Sequence, residues 1–306
     1  MVGTHRRGSL VKRWIRRVGI GIAAILVVAG ATLVVAAQLG ERKMQRRIEV
    51  EVAPVAARTD PSSLERGRYL YLSRGCGDCH GVDGAGKVVV DDGNGLLVKA
   101  PGISPASGGV VAKYSDLDWV RTIRHGIKPD GRAVMIMPSE DYNRLTDEDV
   151  GSLIGYVRQM PPAPAGPAVL QLPMLVKALY AVGAIQDAAD KIDHRLPPAR
   201  PVPEGVTVEH GGYVANACLG CHGPRLEGGR IPGAPPDWPP AANLRAGKDG
   251  PMTAYADAKA FGDMFRTGKR PSGSEVSPVM PFQSLKAMND TDVQALFLYL
   301  RSLPAN

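Results

Sequence analysis

The five residues Cys76-Gly77-Asp78-Cys79-His80 decide how this chain is built. Two cysteines separated by two residues and followed directly by a histidine form the attachment pattern of a c-type haem. The two thiols can form thioethers with the two vinyl groups of one porphyrin. The next residue then lies beneath the ring, where an imidazole can bind the iron. The pattern therefore predicts covalently bound haem with His80 as its proximal ligand.

The pattern occurs a second time, at Cys218-Leu219-Gly220-Cys221-His222. The two copies contain all four cysteines of the chain, so no cysteine is left for another role. A lone Cys-x-x-Cys pair is also compatible with half of a zinc site, a redox dithiol or a disulfide. The histidine after each pair and the repeated context favour two covalently bound haem c groups, with His222 as the second proximal ligand.

The net charge of +7 is concentrated at one end of the 306-residue chain. Residues 1–50 contain ten Lys or Arg and two Glu, whereas the other 256 residues contain 27 basic and 28 acidic side chains. The body of the chain is thus nearly neutral. This distribution argues against nucleic-acid binding, which needs a basic surface on the folded domain.

The uncharged stretch from Val18 to Gly40 predicts a transmembrane helix. A helix of that length, at ~1.5 Å per residue, spans a hydrocarbon core of ~30 Å. Six basic residues precede it and four follow it, which favours a cytoplasmic tail at 1–17. A cleaved signal peptide is the alternative, because Val35-Ala36-Ala37 offers small residues at a cut site. Both interpretations place the haem motifs outside the cytoplasm, and the first predicts a single-pass inner-membrane protein with periplasmic haem domains.

The rest of the chain reads as two similar domains joined by a linker. Gly67-Arg68-Tyr69 precedes the first motif much as Gly211-Gly212-Tyr213 precedes the second. We therefore expect the following division: a tail at 1–17, a transmembrane anchor at 18–40, a stalk at 41–61, a first domain at 62–162, a Pro-rich linker with a short helix at 163–204, and a second domain at 205–306.

Each domain is predicted to be helical, so that the expected class is all-α behind an N-terminal transmembrane helix. In the first domain, Ser62 begins a capping box for a helix ending near Gly75, and a Gly-rich loop follows. A second helix is expected from Ser115 to Gly126, and Thr146 caps a terminal helix with one apolar stripe. The second domain repeats the middle helix at 257–268 and the stripe at Val293, Leu296, Phe297 and Leu300.

A six-coordinate haem also needs a distal ligand, for which methionine is a usual choice. The candidates are Met135, Met137 and Met160 in the first domain and Met252, Met264, Met280 and Met288 in the second. Register selects Met137, 61 residues after Cys76, and Met280, 62 residues after Cys218. Each precedes a proline, which fixes the backbone angle φ and can hold the loop against the flat haem ring. A saturated iron favours one-electron transfer over catalysis, and we predict no catalytic residue.

The remaining histidines and several aromatic residues are considered for roles at the haem sites. His5, His125, His194 and His210 are remote candidates for iron ligands. His125 falls near a helix C-terminus, where a positive charge suits the helix dipole. Trp119 and Trp238 are expected to be packing residues, and Tyr69 and Tyr213 are expected to pack near the ring edges.

These stretches resemble class I cytochrome c modules. In the first domain the resemblance is carried by residues 76–81, the Arg124 to Arg132 segment, Met137-Pro138 and residues 145–158. In the second it is carried by Asn243-Leu244, Arg266-Thr267-Gly268, Met280-Pro281 and residues 299–304. The part from 62 to 306 is similar to membrane-anchored dihaem c-type cytochromes. It also resembles the cytochrome subunits of periplasmic alcohol and gluconate dehydrogenases, which hold three such modules.

The resemblance implies a helical fold around each haem and one-electron carriage between a quinol- or substrate-linked donor and an acceptor. Its partners would be a membrane or periplasmic dehydrogenase, an oxidase or a small electron carrier. The alternatives are an electron-transfer subunit of a larger dehydrogenase or oxidase, and a dihaem peroxidase, which needs an open or His-ligated iron. The cofactor-binding residues expected are Cys76, Cys79, His80, Met137, Cys218, Cys221, His222 and Met280.

In this family a proline carbonyl commonly accepts the N–H of the proximal histidine. Pro101 occupies the matching position for His80. The position in register for His222 is Ala242, so Pro239, Pro240 or another acceptor is expected there, and the two haems need not have equal potentials.

Overall fold

The computed structural model describes residues 5–105, 109–235, 237–245 and 251–304, with side chains described from residue 12 onward. Residues 1–4 of the predicted tail and the side chain of His5 lie outside this description. The chain divides into two units. The first comprises Met1–Gln45 with Leu172–Ile185, and the second comprises Arg46–Gln171 with Gln186–Asn306.

The first unit is built on α1 (His5–Met44), which contains the stretch predicted to span a membrane. Its segment Lys12–Met44 is long and apolar enough to cross a bilayer. The apolar side chains along it are largely exposed. Towards its C-terminus α1 packs against α7 (Met174–Ala181), where Lys177 and Glu41 form an ion pair of 2.6 Å. The short helix predicted in the linker is therefore confirmed.

The second unit contains two helical halves, each around one Cys-x-x-Cys-His motif. The first half comprises α2 (Pro61–Ser73), α3 (Cys76–His80), α4 (Asp116–His125), α5 (Ser139–Tyr142) and α6 (Asp147–Arg158). The second half comprises α8 (Val208–Val214), α9 (Leu219–His222), α10 (Ala258–Thr267), α11 (Phe282–Ala287) and α12 (Asp290–Ser302). Short 3₁₀ turns lie at Ala189–Lys191, Ala215–Cys218 and Pro251–Ala254. The all-α class is confirmed.

The ends of the middle helices follow the sequence signals. Ser115 forms a capping box with Asp118 at the start of α4, and Asp257 caps α10 by accepting from the backbone N–H three residues on. Both helices end on a glycine in the left-handed region, Gly126 at φ 63° and Gly268 at φ 72°. Local capping chemistry thus sets both boundaries.

The cap predicted for α2 is wrong by two residues. Asp60, and not Ser62, accepts a hydrogen bond from the Ser63 N–H. Pro61 stands at the first helical position, where its missing N–H costs nothing. It also restricts the preceding residue to extended backbone, which makes Asp60 the N-cap.

A small antiparallel sheet interrupts the expected loop and linker. Its strands are β1 (Val88–Asp91), β2 (Leu97–Lys99) and β3 (Val169–Gln171), in the order β1-β2-β3. Val98 pairs with Leu170, which joins the Gly-rich loop to the start of the linker. Strands of three or four residues carry too short an alternation to be recognised from sequence.

Two hydrophobic cores correspond to the two halves, and each contains a close crossing of the first and last helices. A Cβ atom added to Gly67 on α2 would lie 2.1 Å from the Ser152 carbonyl oxygen of α6. A Cβ atom on Gly211 of α8 would lie 2.0 Å from the Ala295 carbonyl oxygen of α12. The glycine repeated in sequence before each motif therefore permits the backbones to touch.

The segment predicted as a stalk lies along the first half from residue 46 onward. Its backbone N–H groups at Ile48 and Arg58 donate to the carbonyls of Gly131 and Gly151 at 2.8 and 3.0 Å. The side chain of Val52 packs against the first core. This part of the predicted stalk is thus an extended strap on the domain and not a free spacer.

Candidate haem-binding sites

The attachment cysteines are available for thioether formation. All four cysteines fall within the described residues, and none of them forms a disulfide bond. Cys76 packs at the edge of the first core and Cys218 at the edge of the second. Each motif forms a single helical turn that ends on a glycine with positive φ, Gly81 at 77° and Gly223 at 81°. The chain can therefore turn away directly after each proximal histidine.

Both proximal histidines are oriented by a backbone carbonyl. His80 Nδ1 lies 2.9 Å from the Pro101 oxygen, and His222 Nδ1 lies 2.8 Å from the Ala242 oxygen. A carbonyl can only accept, so Nδ1 carries the hydrogen and the Nε2 lone pair is left for a metal. Burial lowers the pKa of both imidazoles, although the carbonyl hydrogen bonds oppose it. The neutral imidazole is the form that binds iron.

The second acceptor differs from the prolines considered from sequence. Ala242, the residue in register with Pro101, supplies the carbonyl, and neither Pro239 nor Pro240 does so. Every residue carries a backbone carbonyl whatever its side chain, so alanine can accept this hydrogen bond as well as proline. The donor set of free sulfurs and oriented Nε2 atoms fits a covalently attached haem at both motifs.

The two candidate distal methionines lie on turns of the same conformation. The N–H of Ser139 donates to the Met137 carbonyl at 2.8 Å, and that of Phe282 donates to the Met280 carbonyl at 2.8 Å. The prolines between them have φ/ψ of −79°/62° and −78°/70°. These values describe an inverse γ-turn. Met137 packs against the core that Cys76 contacts, and Met280 against the core that Cys218 contacts.

The competing methionines have a different setting. Four of them are buried among core side chains: Met160, Met252, Met264 and Met288. Such positions match the use of methionine as a core filler. Met135 is partly exposed on the same loop as Met137. Coordination of iron by Met137 and Met280 stays a prediction.

An arginine at the end of each middle helix holds the loop that follows the methionine. Arg124 Nη2 donates to the Leu145 carbonyl at 2.6 Å and lies 2.8 Å from Asp147. Arg266 makes the equivalent contacts with the Met288 carbonyl, at 2.6 Å, and Asp290, at 3.2 Å. The same clamp therefore braces both methionine loops against the terminal helices.

The remaining histidines have other partners. His125 Nδ1 lies 3.0 Å from His194 Nδ1. Burial, followed by the charges of His194 and Arg124, lowers the pKa of His125 to about 4. His125 is therefore neutral at pH 7, and the expected helix-dipole role of a positive charge there is wrong. His210 donates from Nε2 to Asp292 at 2.7 Å.

Tyr69 and Tyr213 connect the two halves, a role that sequence reasoning missed. Tyr69 Oη donates to Asp292 Oδ2 at 2.6 Å and accepts from the Asn289 N–H at 3.2 Å. Tyr213 Oη makes the matching bonds with Asp149 Oδ2 and the Thr146 N–H, at 2.6 and 3.2 Å. Each tyrosine thus binds the N-terminus of the other half's terminal helix. The repeated Tyr in sequence was a signal, but it did not identify this partner.

The attachment motifs also lie at this contact. Asp141 on α5 accepts from the backbone N–H of Gly220, within the second motif, at 2.7 Å. Ser284 on α11 donates to Asp78, within the first motif, at 2.5 Å. Each motif therefore contacts the helix that follows the candidate distal methionine of the other half.

Comparison with known proteins agrees with this geometry. A family model described as Cytochrome c matches residues 64–161 and 211–304. The chain is 28% identical over 270 residues to the fructose dehydrogenase cytochrome subunit of Gluconobacter japonicus, covering 82% of this chain and 55% of that protein. It is 26% identical over 278 residues to the gluconate 2-dehydrogenase cytochrome c subunit of Pantoea cypripedii, covering 79% and 60%.

A third relative is the cytochrome c subunit of the quinone-dependent alcohol dehydrogenase of Gluconobacter oxydans. It is 24% identical over 278 residues, covering 80% of this chain and 56% of that protein. The matched region thus spans little more than half the length of each of these three curated relatives.

Proposed function

Because this chain belongs to the cytochrome c family and carries covalently bound haem c, we propose that it transfers single electrons between redox partner proteins. The observation that carries the proposal is that both halves hold the same set of haem-binding groups in the same local geometry. In each half, an oriented imidazole and a Met-Pro turn of one conformation flank the same core. Bound haem supplies an iron that alternates between its ferrous and ferric states.

The proposed roles of the residues are the same in both halves. Cys76 and Cys79 hold the first haem, with His80 and Met137 as axial ligands. In the second half the corresponding residues are Cys218, Cys221, His222 and Met280. A histidine and a thioether together leave no open position on the iron, so the sites suit electron transfer and not substrate chemistry. We propose domain boundaries of 62–162 and 205–306 for the two halves.

Two contacts support electron transfer within the chain. Asp141 of the first half contacts the second motif, and Ser284 of the second half contacts the first motif. Both haem motifs therefore lie against the contact between the halves, which favours direct passage of an electron from one haem to the other. This arrangement makes the pair of halves one relay.

The proposed location is the inner membrane, with α1 as a single-pass anchor and the haem domains on the periplasmic side. The length and composition of α1 and the distribution of basic residues around it support this orientation. Anchoring confines the relay to the layer in which membrane-bound donors and acceptors meet it.

The proposed partner is the catalytic subunit of a dehydrogenase. The relatives named above as fructose and gluconate dehydrogenase subunits favour membership of such a complex over a freely diffusing carrier. Copurification of a dehydrogenase with the tagged chain from detergent extracts is the expected result. Recovery of the chain alone, still able to accept electrons from a soluble carrier, would support the free-carrier alternative.

Haem stoichiometry and ligation test the function itself. A pyridine haemochrome assay on the purified full-length chain should give two covalent haems per chain. The ferrous protein at neutral pH should bind CO slowly or not at all, because both irons are saturated. One haem per chain, or fast stoichiometric CO binding, would contradict the proposal, and the second result would favour a peroxidase.

A further inference from the structure

The contacts that the two attachment motifs make with the other half are alike in position but differ in the charged groups that form them. Asp141 and Ser284 occupy equivalent places, three residues after the proline of each Met-Pro turn. Asp141 brings a carboxylate to the backbone of the second motif, whereas Ser284 brings a hydroxyl to the first motif. The second motif therefore meets a carboxylate of the other half at Gly220, whereas the first motif carries its own carboxylate, Asp78, at the equivalent position and meets a hydroxyl there.

The carboxylate lies directly on the second attachment segment. Its Oδ1 is 2.7 Å from the Gly220 N–H, and a Cβ atom added to Gly220 would lie 3.0 Å from its Oδ2. Gly220 stands between the two attachment cysteines, Cys218 and Cys221, and two residues before the proximal histidine. The absence of a side chain there allows the carboxylate to approach the haem-bearing backbone.

Asp141 lacks a close counter-charge in the part of the chain that the structure describes. Among those residues, no Lys, Arg or His nitrogen lies within 4 Å of its carboxylate. The neighbouring Glu140 is paired with Lys191 at 2.8 Å. Arg124, on the adjacent α4, is turned towards Leu145 and Asp147. The thiols of Cys218 and Cys221 face the carboxylate but are thioethers in the haem-loaded protein.

Burial raises the pKa of Asp141 to about 7. The Gly220 N–H opposes this shift, the charge of Glu140 adds to it, and Lys191 opposes it. The group therefore titrates near neutral pH, where small changes in its surroundings alter its proton occupancy. A haem held by Cys218, Cys221 and His222 would supply such a change when it gains or loses an electron, because Asp141 contacts the segment that would hold it.

We propose that Asp141, a residue of the first half, sets the redox potential of the second haem and couples that potential to proton binding. This inference rests on the proposed function, since it requires a haem at each motif. One electron from the donor reduces the second iron, and the Asp141 carboxylate takes one proton from solvent. When the acceptor takes the electron, the Asp141 carboxyl releases its proton to solvent. The carboxylate stabilises the ferric iron by its charge, and protonation removes that stabilisation.

The sign of the pH dependence follows from this coupling. Reduction removes a positive charge beside Asp141, so the carboxylate binds its proton more tightly in the reduced protein. The potential of the second haem should therefore fall as the pH rises through 7. The slope has a limit of about 59 mV per pH unit, which is the tenfold constant for a one-electron couple. The first haem should show no comparable slope in this range.

The test is a spectroelectrochemical titration of the full-length chain in detergent between pH 5.5 and 8.5, with haem content measured in parallel. Met280→His, which changes a ligand of the second haem only, assigns the two potentials. Asp141→Asn retains an acceptor for the Gly220 N–H but cannot ionise. We expect it to raise the potential of the second haem at high pH and to abolish its slope. Ser284→Ala is the matched control and should leave that slope in place. Glu140→Gln should move the slope to lower pH without abolishing it, because the charge of Glu140 raises the pKa of Asp141, while Asp141→Glu should retain part of the slope.

An unchanged slope in Asp141→Asn, or no slope in the parent protein, would overturn the inference while leaving the electron carrier intact. Fewer than two haems per chain would instead overturn the proposed function, and this inference with it. If Asp141→Asn is poorly produced, Asp141→Glu keeps the test decisive, because a slope identical to the parent's in size and pH range would also overturn the inference.

Discussion

The two halves repeat one set of helices, caps and loops but treat one equivalent acid differently. Asp149 at the start of α6 is bound by Arg66 of its own half. The side chain of Arg66 is 23% exposed to solvent. Asp292 at the start of α12 is bound by Arg74 of the other half, at 2.7 Å, and both side chains are almost fully buried. His210 and Tyr69 complete the second cluster. The terminal helix of the second half thus depends on the first half more than the reverse.

This comparison shows how duplicated domains can become unequal. The local elements that build each site are the same in the two halves, since the Met-Pro turns have one conformation and the two arginines make equivalent contacts. The differences collect where one half touches the other, at Arg74, Asp141 and Ser284. Contacts of this kind change the charge around one site without altering the helices that form it.

Removing one proximal histidine should have the largest effect. His222→Ala leaves the second iron without its imidazole, so normal ligation of that haem should be lost while the first haem keeps its spectrum. His80→Ala is the matched variant for the first half. Absorbance spectra of the reduced and oxidised proteins give the readout. Loss of both haem signals in either variant would mean that the halves do not form their sites independently.

Removing one distal methionine should have a smaller effect, confined to one haem. In Met137→Ala the sulfur-to-iron absorption near the red end of the spectrum should fall by half, because the second haem keeps Met280. Met280→Ala should remove the other half of the band. If the band is untouched in Met137→Ala, Met135 is the ligand of the first haem.

Substituting the buried acid at the contact tests the inequality of the two halves. Asp292→Ala leaves Arg74 buried without its partner, which should reduce the free energy of unfolding by about 3–5 kcal/mol. Asp149→Ala leaves the partly exposed Arg66, which water can reach, and should cost about 1–3 kcal/mol. Denaturant unfolding of the haem-loaded chain measures both. Equal losses would show that the two clusters are energetically equivalent.

The same cluster predicts a pH dependence. Burial opposes ionisation of Asp292, but the charge of Arg74 and hydrogen bonds from Tyr69, Arg74 and His210 outweigh it and hold the pKa of this carboxyl below its ordinary value. A lowered carboxyl pKa contributes stability above the unfolded value of about 3.9, and this is lost as pH falls through the folded value. The stability difference between parent and Asp292→Ala should therefore shrink as the pH is lowered below about 3.9.

The smallest effect is expected from the two tyrosine hydroxyls. Tyr69→Phe and Tyr213→Phe each remove two hydrogen bonds across the contact, one to an acid and one from a backbone N–H, but both acids keep an arginine partner. Each should reduce the free energy of unfolding by about 1–2 kcal/mol. In the double variant, measured in the same denaturant titration, the loss in free energy of unfolding should equal the sum of the two single losses if the two tyrosines act independently. A larger combined loss would mean that they act together.

Much of each candidate site could be predicted from sequence because its determinants are local. The attachment pattern lies within five residues, and the caps Ser115, Thr146 and Asp257 act on backbone groups three residues away. The acceptor for His222 could not be decided, since any residue can offer its carbonyl. Strand β3 was missed because its partner lies about 70 residues earlier in the chain.

The amino-acid sequence alone determined that this chain holds two haem attachment motifs, a helix long and apolar enough to span a membrane, and matched Met-Pro loops. These features follow from covalent chemistry, apolar length and short-range capping. Only the tertiary structure decided which groups meet between the halves. Tyr69 and Asp292 are 223 residues apart, and Asp141 and Gly220 are 79 apart. Contacts over such separations arise from how packed surfaces fit together, and no local pattern encodes them.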